Sequence, residues 1–188
     1  MEGRSDALVT AARMIARVRD VAVTTSLGVA TVGVIENDTQ SQATIPSGVE
    51  FILDVRCSTD EMVKELHEAI FKGWEEVCAE EGNKTTWGVV KTWGLPESVF
   101  HEDCIRAVRE AAVAEVGVDM CMEMKSGAGH DAAWTSKVVN SSMIFVPSRD
   151  GVSHNPEEYT SPEDCALGAQ VLLDTVMRYD TMIKASCA

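Results

Sequence analysis

The stretch VEFILDVR, residues 49–56, decides the fold of the first part of this chain. Successive side chains of a strand point to opposite faces, so residues two apart share a face. One face therefore carries Val49, Phe51, Leu53 and Val55. The other face carries Glu50, Ile52, Asp54 and Arg56. This alternation predicts a half-buried strand whose apolar face is covered by another layer.

Elements on both sides of this strand supply the covering layer. Ser58 and Glu61 form an S-x-x-E capping box that predicts the start of a helix directly after the strand. The other predicted elements are a helix at 5–22, a strand at 28–36, the end of the capped helix near Gly82 and Asn83, and a strand at 84–94. We therefore predict that residues 1–95 form a small antiparallel-sheet domain with two helices on one face.

The remaining residues, 96–188, show a different order of elements. Periodicity and turn residues predict helix 101–116, strand 120–125, a helix from SGAGHDA to about 138, strand 141–147 and a final helix. Ser161 precedes Pro162, which favours a capped start of that final helix. Its apolar positions are Cys165, Ala169, Leu172, Leu173, Val176 and Met177. This α–β–α–β–α order is typical of part of an α/β sheet, so the fold class is mixed α/β.

Charge and hydropathy exclude several classes of partner. The net charge is −14, which disfavours binding to nucleic acid or to anionic membranes. The sequence contains no run of about 18 apolar residues, and its first residues lack a signal-peptide core. These features predict a cytoplasmic protein.

Six cysteines occur, at positions 57, 78, 104, 121, 165 and 187, without CxxC or zinc-ribbon spacing. We interpret them as free, buried thiols in a reducing compartment. A catalytic cysteine is the alternative.

The segment SGAGHDA, residues 126–132, is the first candidate site. Glycines at a strand-to-helix turn allow close approach of a ligand, and the N–H groups of a new helix favour an anion. His130 adds a titratable donor. The structural alternative is a tight turn capped by Asp131. A nucleotide site is a weaker alternative, in which Gly127, Gly129 and Ala132 form G-x-G-x-x-A and Asp150 binds a ribose.

Two further residues lie where ligands are often bound. His154 occurs in VPSRDGVSHNPEEY, residues 146–159, in a loop that follows a predicted buried strand. Neutral histidine is a metal ligand, but a surface loop is an equal alternative. Arg56 ends VEFILDVR, where its planar guanidinium suits a substrate carboxylate. A surface ion pair with Asp54 or another neighbour is the structural alternative.

These stretches together resemble one family. SGAGHDA, MIFVPSRDGVSHNPEEY, VEFILDVR and MEGRSDALVTAARMI resemble the N-carbamoyl-L-amino acid hydrolase, allantoate amidohydrolase and β-alanine synthase group. The resemblance implies a dimerising lid over residues 1–95, without its first strand. It also implies the closing part of a metallopeptidase-like catalytic domain over 96–188.

The resemblance assigns roles to four residues. It places His154 at the last ligand position of a two-metal site, with zinc or manganese as the metal. It places Gly129 and His130 at substrate contacts, and Arg56 at the lid arginine that binds the substrate carboxylate. Ala43 stands where the family usually has an asparagine. The family's other metal ligands and its general base belong to motifs that this sequence does not contain.

The sequence-based hypothesis is therefore a truncated amidohydrolase homologue. The family hydrolyses a carbamoyl or amidino C–N bond in a small, urea-like substrate that bears a carboxylate. This chain is expected to be inactive by itself, not to bind a metal tightly, and to dimerise through the lid. The alternative hypothesis is a non-catalytic module for dimerisation or carboxylate binding.

Overall fold

The computed structural model describes residues 3–82 and 84–186. In its first part, two helices cover one face of an antiparallel pair of strands. The elements are α1 (Ala7–Thr25), β1 (Gly28–Asn37), β2 (Val49–Cys57) and α2 (Asp60–Glu80). Strand β1 pairs with β2, and a bulge at Gly33 shifts the register between Val32 and Val34. The predicted order of these four elements is confirmed.

The core between helices and strands forms around Trp74. Its cluster of buried side chains is Met14, Val18, Leu66, Ile70, Trp74 and Val77. The Trp74 ring lies edge-on to Phe51 of β2 and to Trp87, with centroids 5.5 and 5.2 Å apart. Its Nε1–H donates to the Met14 carbonyl at 3.1 Å, so a buried polar group is satisfied. The alternation in VEFILDVR is confirmed, because Phe51, Leu53 and Val55 pack on this core, whereas the other face of the strand is exposed.

The start of α2 differs by one residue from the prediction. Thr59 is the N-cap, and its hydroxyl accepts a hydrogen bond from the Met62 N–H at 3.2 Å. The capping box predicted from Ser58 is therefore wrong, because adjacent Ser and Thr both suit an N-cap and backbone geometry selects between them. Asn83, part of the predicted helix end, lies outside the described residues.

Chain contacts divide between Glu97 and Ser98, and the second unit is described by itself. It contains α3 (Glu102–Val116), α4 (Asp131–Thr135) and α5 (Pro162–Ser186), with short 3₁₀ turns at Val118–Met120 and Arg149–Gly151. Helices α3 and α5 pack on each other. Small or short side chains fill this contact, including Cys104, Ala107, Ala111, Val171 and Thr175.

The predicted strands at 84–94, 120–125 and 141–147 form no β-ladder; all of residues 84–186 are described, and none lies in a strand. A strand requires hydrogen bonds to a neighbouring strand, and these segments do not pair with each other. Helix α4 also ends at Thr135 and continues as turns, short of the predicted end near 138. The cap of α5 is confirmed, since Ser161 Oγ accepts from the Asp164 N–H at 3.0 Å. None of the helices in the described residues combines the length and apolarity needed to cross a bilayer.

Candidate functional site

Arg56 lies on the solvent-facing side of β2 with its guanidinium held by Asp54. Its Nε and Nη2 donate to the two carboxylate oxygens of Asp54 at 2.7 and 3.1 Å. Residues two apart on a strand share a face, which is why this pairing forms within one strand. The hydrogen bonds to Asp54, and then its negative charge, raise the pKa of Arg56. The structural alternative, an ion pair with Asp54, therefore describes the observed geometry.

A shallow cavity of about 340 Å³ adjoins this pair. Its lining comes from the outer face of both strands and includes Val29, Thr31, Gly33, Val34 and Ile52 beside Asp54 and Arg56. No other atom approaches within 4 Å of where a Gly33 side chain would begin. The bulge therefore leaves open space at Gly33, in a cavity lined by apolar side chains and by the Arg56 guanidinium.

His130 is the N-cap residue of α4, and its ring is held on two sides. Ser126 Oγ lies 2.6 Å from His130 Nε2. The Phe145 ring meets the imidazole edge-on, with centroids 5.6 Å apart. The Ala128 N–H donates to the same Ser126 oxygen at 3.2 Å. Local hydrogen bonds within 126–130 therefore fix the orientation of this histidine before any ligand is present.

Gly129 lies directly before His130 and is exposed. The helix that follows has five residues, too short to present the aligned peptide dipoles on which anion binding at a helix start depends. Asp131 adds a negative charge to its first turn. The alternative in which the Asp131 side chain caps α4 is wrong. The N-cap residue is His130, and no side-chain hydrogen bond caps this helix.

His154 lies in an exposed loop and adopts a left-handed backbone conformation, with φ of 55°. This conformation is uncommon for a residue other than glycine. The His154 N–H donates to Glu158 Oε2 at 2.8 Å. Arg149 closes the loop, because its N–H donates to the Tyr159 carbonyl at 2.8 Å and its Nη2 to the Glu157 carbonyl at 3.0 Å. The nearby carboxylate thus holds the backbone of His154.

The side chains around His154 decide whether this loop can hold a metal ion. Across residues 3–82 and 84–186, no three histidine, cysteine, aspartate or glutamate side chains cluster as a metal site does. A protein site for zinc uses at least three such ligands. The described residues therefore do not form a complete metal centre.

The structure does not support the nucleotide-binding alternative or a catalytic cysteine among the described residues. The nucleotide-binding alternative requires a strand before its glycines, and residues 120–125 form none. Among the described cysteines, Cys78 and Cys104 are buried as predicted and Cys165 is exposed. Burial raises the pKa of the Cys57 and Cys78 thiols, which disfavours the reactive thiolate. Cys187 lies outside the described residues.

A cavity of about 380 Å³ in the second unit contains none of the predicted site residues. Its lining includes His101, the N-cap of α3. The Nδ1 atom of His101 accepts a hydrogen bond from the Asp103 N–H at 3.2 Å.

Sequence reasoning missed two partners of the candidate residues. Ser126 contacts His130, and the four-residue spacing S-x-x-x-H within one turn was the available signal. Glu158 binds the backbone of His154 with the same spacing. Neither spacing is specific, because a turn can direct such side chains in several ways.

Known proteins match this chain over most of its length. It is 34% identical over 178 residues to the N-carbamoyl-L-amino acid amidohydrolase of Geobacillus stearothermophilus, which covers 94% of this chain and 42% of that protein. It is 32% identical to the allantoate amidohydrolase of Bacillus subtilis, over 71% of this chain and 32% of that protein. The chain thus spans less than half the length of these curated relatives.

A solved structure of an amidase is similar in fold to most of this chain. The hydantoinase/carbamoylase family amidase of Burkholderia multivorans superposes with a TM-score of 0.78 and 33% identity. The superposition covers 95% of this chain and 43% of that one. The sequence profile of peptidase family M20/M25/M40 matches residues 8–178, a range that includes all four predicted site residues. The chain therefore belongs to the M20/M25/M40 peptidase family and is an amidohydrolase homologue within it.

Proposed function

We propose that this chain forms the substrate-carboxylate-binding part of an amidohydrolase that hydrolyses a carbamoyl or amidino C–N bond. The supporting observation is its similarity to relatives named for N-carbamoyl-L-amino acids and for allantoate. Both substrates carry a carboxylate next to a urea-like group. A fixed guanidinium beside an apolar wall suits the carboxylate end of such a molecule.

Arg56 is proposed to bind that carboxylate. Asp54 holds the guanidinium in one orientation, so less side-chain entropy is lost when a ligand binds. The same aspartate weakens the attraction for an anion, because its negative charge lies beside the guanidinium. Carboxylate binding by this chain alone is therefore expected to be weak. It should depend on the planar, bidentate geometry of the Arg56 guanidinium more than on the net charge of the Arg56–Asp54 pair.

His130 is proposed to contact the substrate through its oriented ring. Ser126 holds Nε2 and Phe145 packs on the imidazole, so the proton position on the ring is set by the loop. Gly129 lies beside it without a side chain, which allows a ligand to approach the backbone. Ser126 is a positioning residue in this proposal, because it acts through His130.

Catalysis is proposed to require groups beyond those of this chain. His154 offers one ligand, the remaining residues described gather no metal-binding set, and the relatives contain more than twice the matched length. A zinc or manganese site and a general base would then come from the part of such enzymes that lies outside the match. No step of hydrolysis is assigned to His154 alone.

A second candidate function is self-association through the first unit. A two-stranded sheet leaves strand edges unpaired, and β1 pairs only with β2 among the described residues. Val29, Val34 and Ile35 of β1 are exposed apolar side chains. An edge of this composition favours pairing with another chain, which supports a dimerising lid.

The carboxylate site predicts that Arg56→Lys weakens binding of N-carbamoyl-L-alanine at least about fivefold, because lysine keeps the charge and loses the bidentate fork. Backbone amide shifts in a titration of the 188-residue chain measure the dissociation constant. Arg19→Lys is the matched control, since Arg19 is highly exposed. Equal affinities for the wild type and for Arg56→Lys would remove Arg56 from the proposed site.

The positioning role of Ser126 predicts that Ser126→Ala changes the tautomer of His130. The two imidazole ¹⁵N resonances of His130 should move towards the values of an exposed histidine, because the 2.6 Å contact to Nε2 is lost. Ser153→Ala, next to the exposed His154, should leave the His130 resonances unchanged. Unaltered ring shifts in Ser126→Ala would show that the hydroxyl does not orient this ring.

The catalytic proposal predicts no turnover of N-carbamoyl-L-alanine by the 188-residue chain with Mn²⁺ or Zn²⁺ added. Amino acid release is the readout, and the Geobacillus stearothermophilus amidohydrolase serves as the positive control. Turnover by the wild-type chain that His154→Ala abolishes would contradict the proposal, because the activity would then belong to this chain.

The self-association proposal predicts a concentration-dependent dimer in sedimentation velocity. Val34→Lys should shift the equilibrium to monomer, because an edge lysine opposes strand pairing. Val23→Lys is the control, since Val23 is an exposed valine of α1 outside the sheet. A wild-type chain that stays monomeric at the highest concentration would rule out this function.

A further inference from the structure

The solvent-facing side of β1 and β2 carries pairs of side chains that lie opposite each other. In order along the strands, these pairs are Val29–Arg56, Thr31–Asp54, Val34–Ile52 and Glu36–Glu50. The bulge at Gly33 keeps Val34 on the same side as Thr31, although it lies three residues further along the chain. An aliphatic pair therefore lies between the guanidinium of Arg56 and an acidic end of the sheet.

The aliphatic pair, Val34 and Ile52, is exposed and lines a cavity. Val34 is 45% exposed and Ile52 is 54% exposed. Asp54 and Arg56 line the same cavity of about 340 Å³, which lies at the small end of the range for ligand pockets, roughly 300–1,000 Å³. Apolar side chains in a concavity beside a guanidinium fit a small ligand that carries both an apolar group and a carboxylate.

Gly33 leaves space beside this pair, and its backbone conformation does not demand a glycine. Its φ is not positive, so the left-handed conformation that favours glycine does not occur here. A side chain built at Gly33 would meet no heavy atom within 4 Å. Glycine inside a strand weakens the strand and often marks a place where a ligand comes close to the backbone. The space at Gly33 therefore adds room for a branched group beside Val34 and Ile52.

The Arg56 side chain extends along its strand towards the aliphatic pair. Its Nε donates to Asp54 Oδ1 at 2.7 Å, and Asp54 lies between Arg56 and Ile52 on the same face. Residues two apart along a strand are separated by about 7 Å, so Ile52 is only one such step beyond Asp54. In an α-amino acid, the side chain begins on the carbon that carries the carboxylate. A carboxylate bound at the guanidinium would therefore place a leucine-sized side chain within reach of Val34 and Ile52.

Acidic residues restrict which groups of a ligand are favourable here. Glu36 and Glu50 lie opposite each other on one side of the aliphatic pair, and Asp54 lies on the other. A second carboxylate in the ligand would be repelled by these negative charges. A second ureido group, as in allantoate, would cover Val34 and Ile52 with polar atoms and would bury little apolar surface.

We propose that Val34, Ile52 and the space at Gly33 bind the side chain of the substrate and select N-carbamoyl amino acids with aliphatic side chains. Acidic side chains and the second ureido group of allantoate are disfavoured at the same place. The inference rests on the proposed binding of the carboxylate by Arg56 and adds a substrate class to it. It assigns specificity to the strand bulge, because the guanidinium can bind any ligand that carries a carboxylate.

The test compares four ligands on the 188-residue chain by backbone amide shifts. They are N-carbamoyl-L-leucine, N-carbamoyl-L-alanine, N-carbamoyl-L-aspartate and allantoate. We expect the leucine compound to bind at least about fivefold more tightly than the alanine compound, because its isobutyl group buries more apolar surface. The aspartate compound and allantoate should bind more weakly than the alanine compound. Titration with the leucine compound should shift the amides of Val34 and Ile52.

Two substitutions test the proposed residues. Gly33→Val fills the open space with a residue that suits a strand and should reduce the leucine-to-alanine ratio of affinities to about one. Ile52→Thr keeps a β-branched side chain but removes apolar surface, so it should lower the ratio at least about twofold. Gly88→Val is the matched control at an exposed glycine with open space. Ile183→Thr is the control at an exposed isoleucine of α5, and both controls should keep the wild-type ratio.

Three results would overturn the side-chain specificity. The first is equal affinity of the wild-type chain for the leucine and alanine compounds. The second is a ratio that neither Gly33→Val nor Ile52→Thr lowers. The third is an aspartate compound that binds as tightly as the leucine compound.

Arg56→Lys separates this inference from the proposed function. It should weaken the binding of all four ligands by a similar factor, because each of them carries a carboxylate. If it does so while the leucine compound has no advantage, the carboxylate site stands and only the specificity fails. If Arg56→Lys changes no affinity, or if no ligand binds, the carboxylate site fails and this inference fails with it.

Discussion

The packing of Trp74 is the contact on which the first unit depends. Its indole reaches from α2 to the Met14 carbonyl of α1 and lies against Phe51 of β2. One side chain therefore joins two helices and the sheet. Because the apolar face of β2 is fixed on this core, its other face has a defined direction, and Asp54 and Arg56 lie together on it.

The elements that the sequence predicted well are those with local causes. Alternation in VEFILDVR and the periodicity of α2 each arise within a short window, and the structure forms both. The strands predicted at 120–125 and 141–147 have suitable composition and form no ladder. Composition can indicate that a segment suits a sheet, but pairing depends on a neighbouring strand, which is often far away in sequence. Helix α5 shows a related effect, because its apolar residues Leu172, Leu173, Val176 and Met177 are exposed in the described structure although their spacing suggests a buried side.

The candidate site divides in a similar way. Arg56, Gly129, His130 and His154 were selected by motifs, and the family match covers all of them. The partners of the two histidines could not be selected from motifs, because they depend on turn geometry. Ser126 reaches His130 through a loop held by the Ala128 N–H, and Glu158 reaches the backbone of His154 across a tight turn. The pairing of Arg56 with Asp54 followed from strand alternation, whereas the partners of His130 and His154 required coordinates.

The loop of His154 and helix α5 each keep residues in a state that is unfavourable by itself. The loop is fixed by hydrogen bonds that Arg149 donates to the Glu157 carbonyl and that Glu158 accepts from the His154 N–H, and it holds His154 in a backbone conformation that costs free energy. Helix α5 leaves Leu172, Leu173, Val176 and Met177 in water, although these side chains would be more stable when buried. Hydrogen bonds therefore hold the loop against its backbone strain, whereas no described residue of the second unit covers these four apolar side chains.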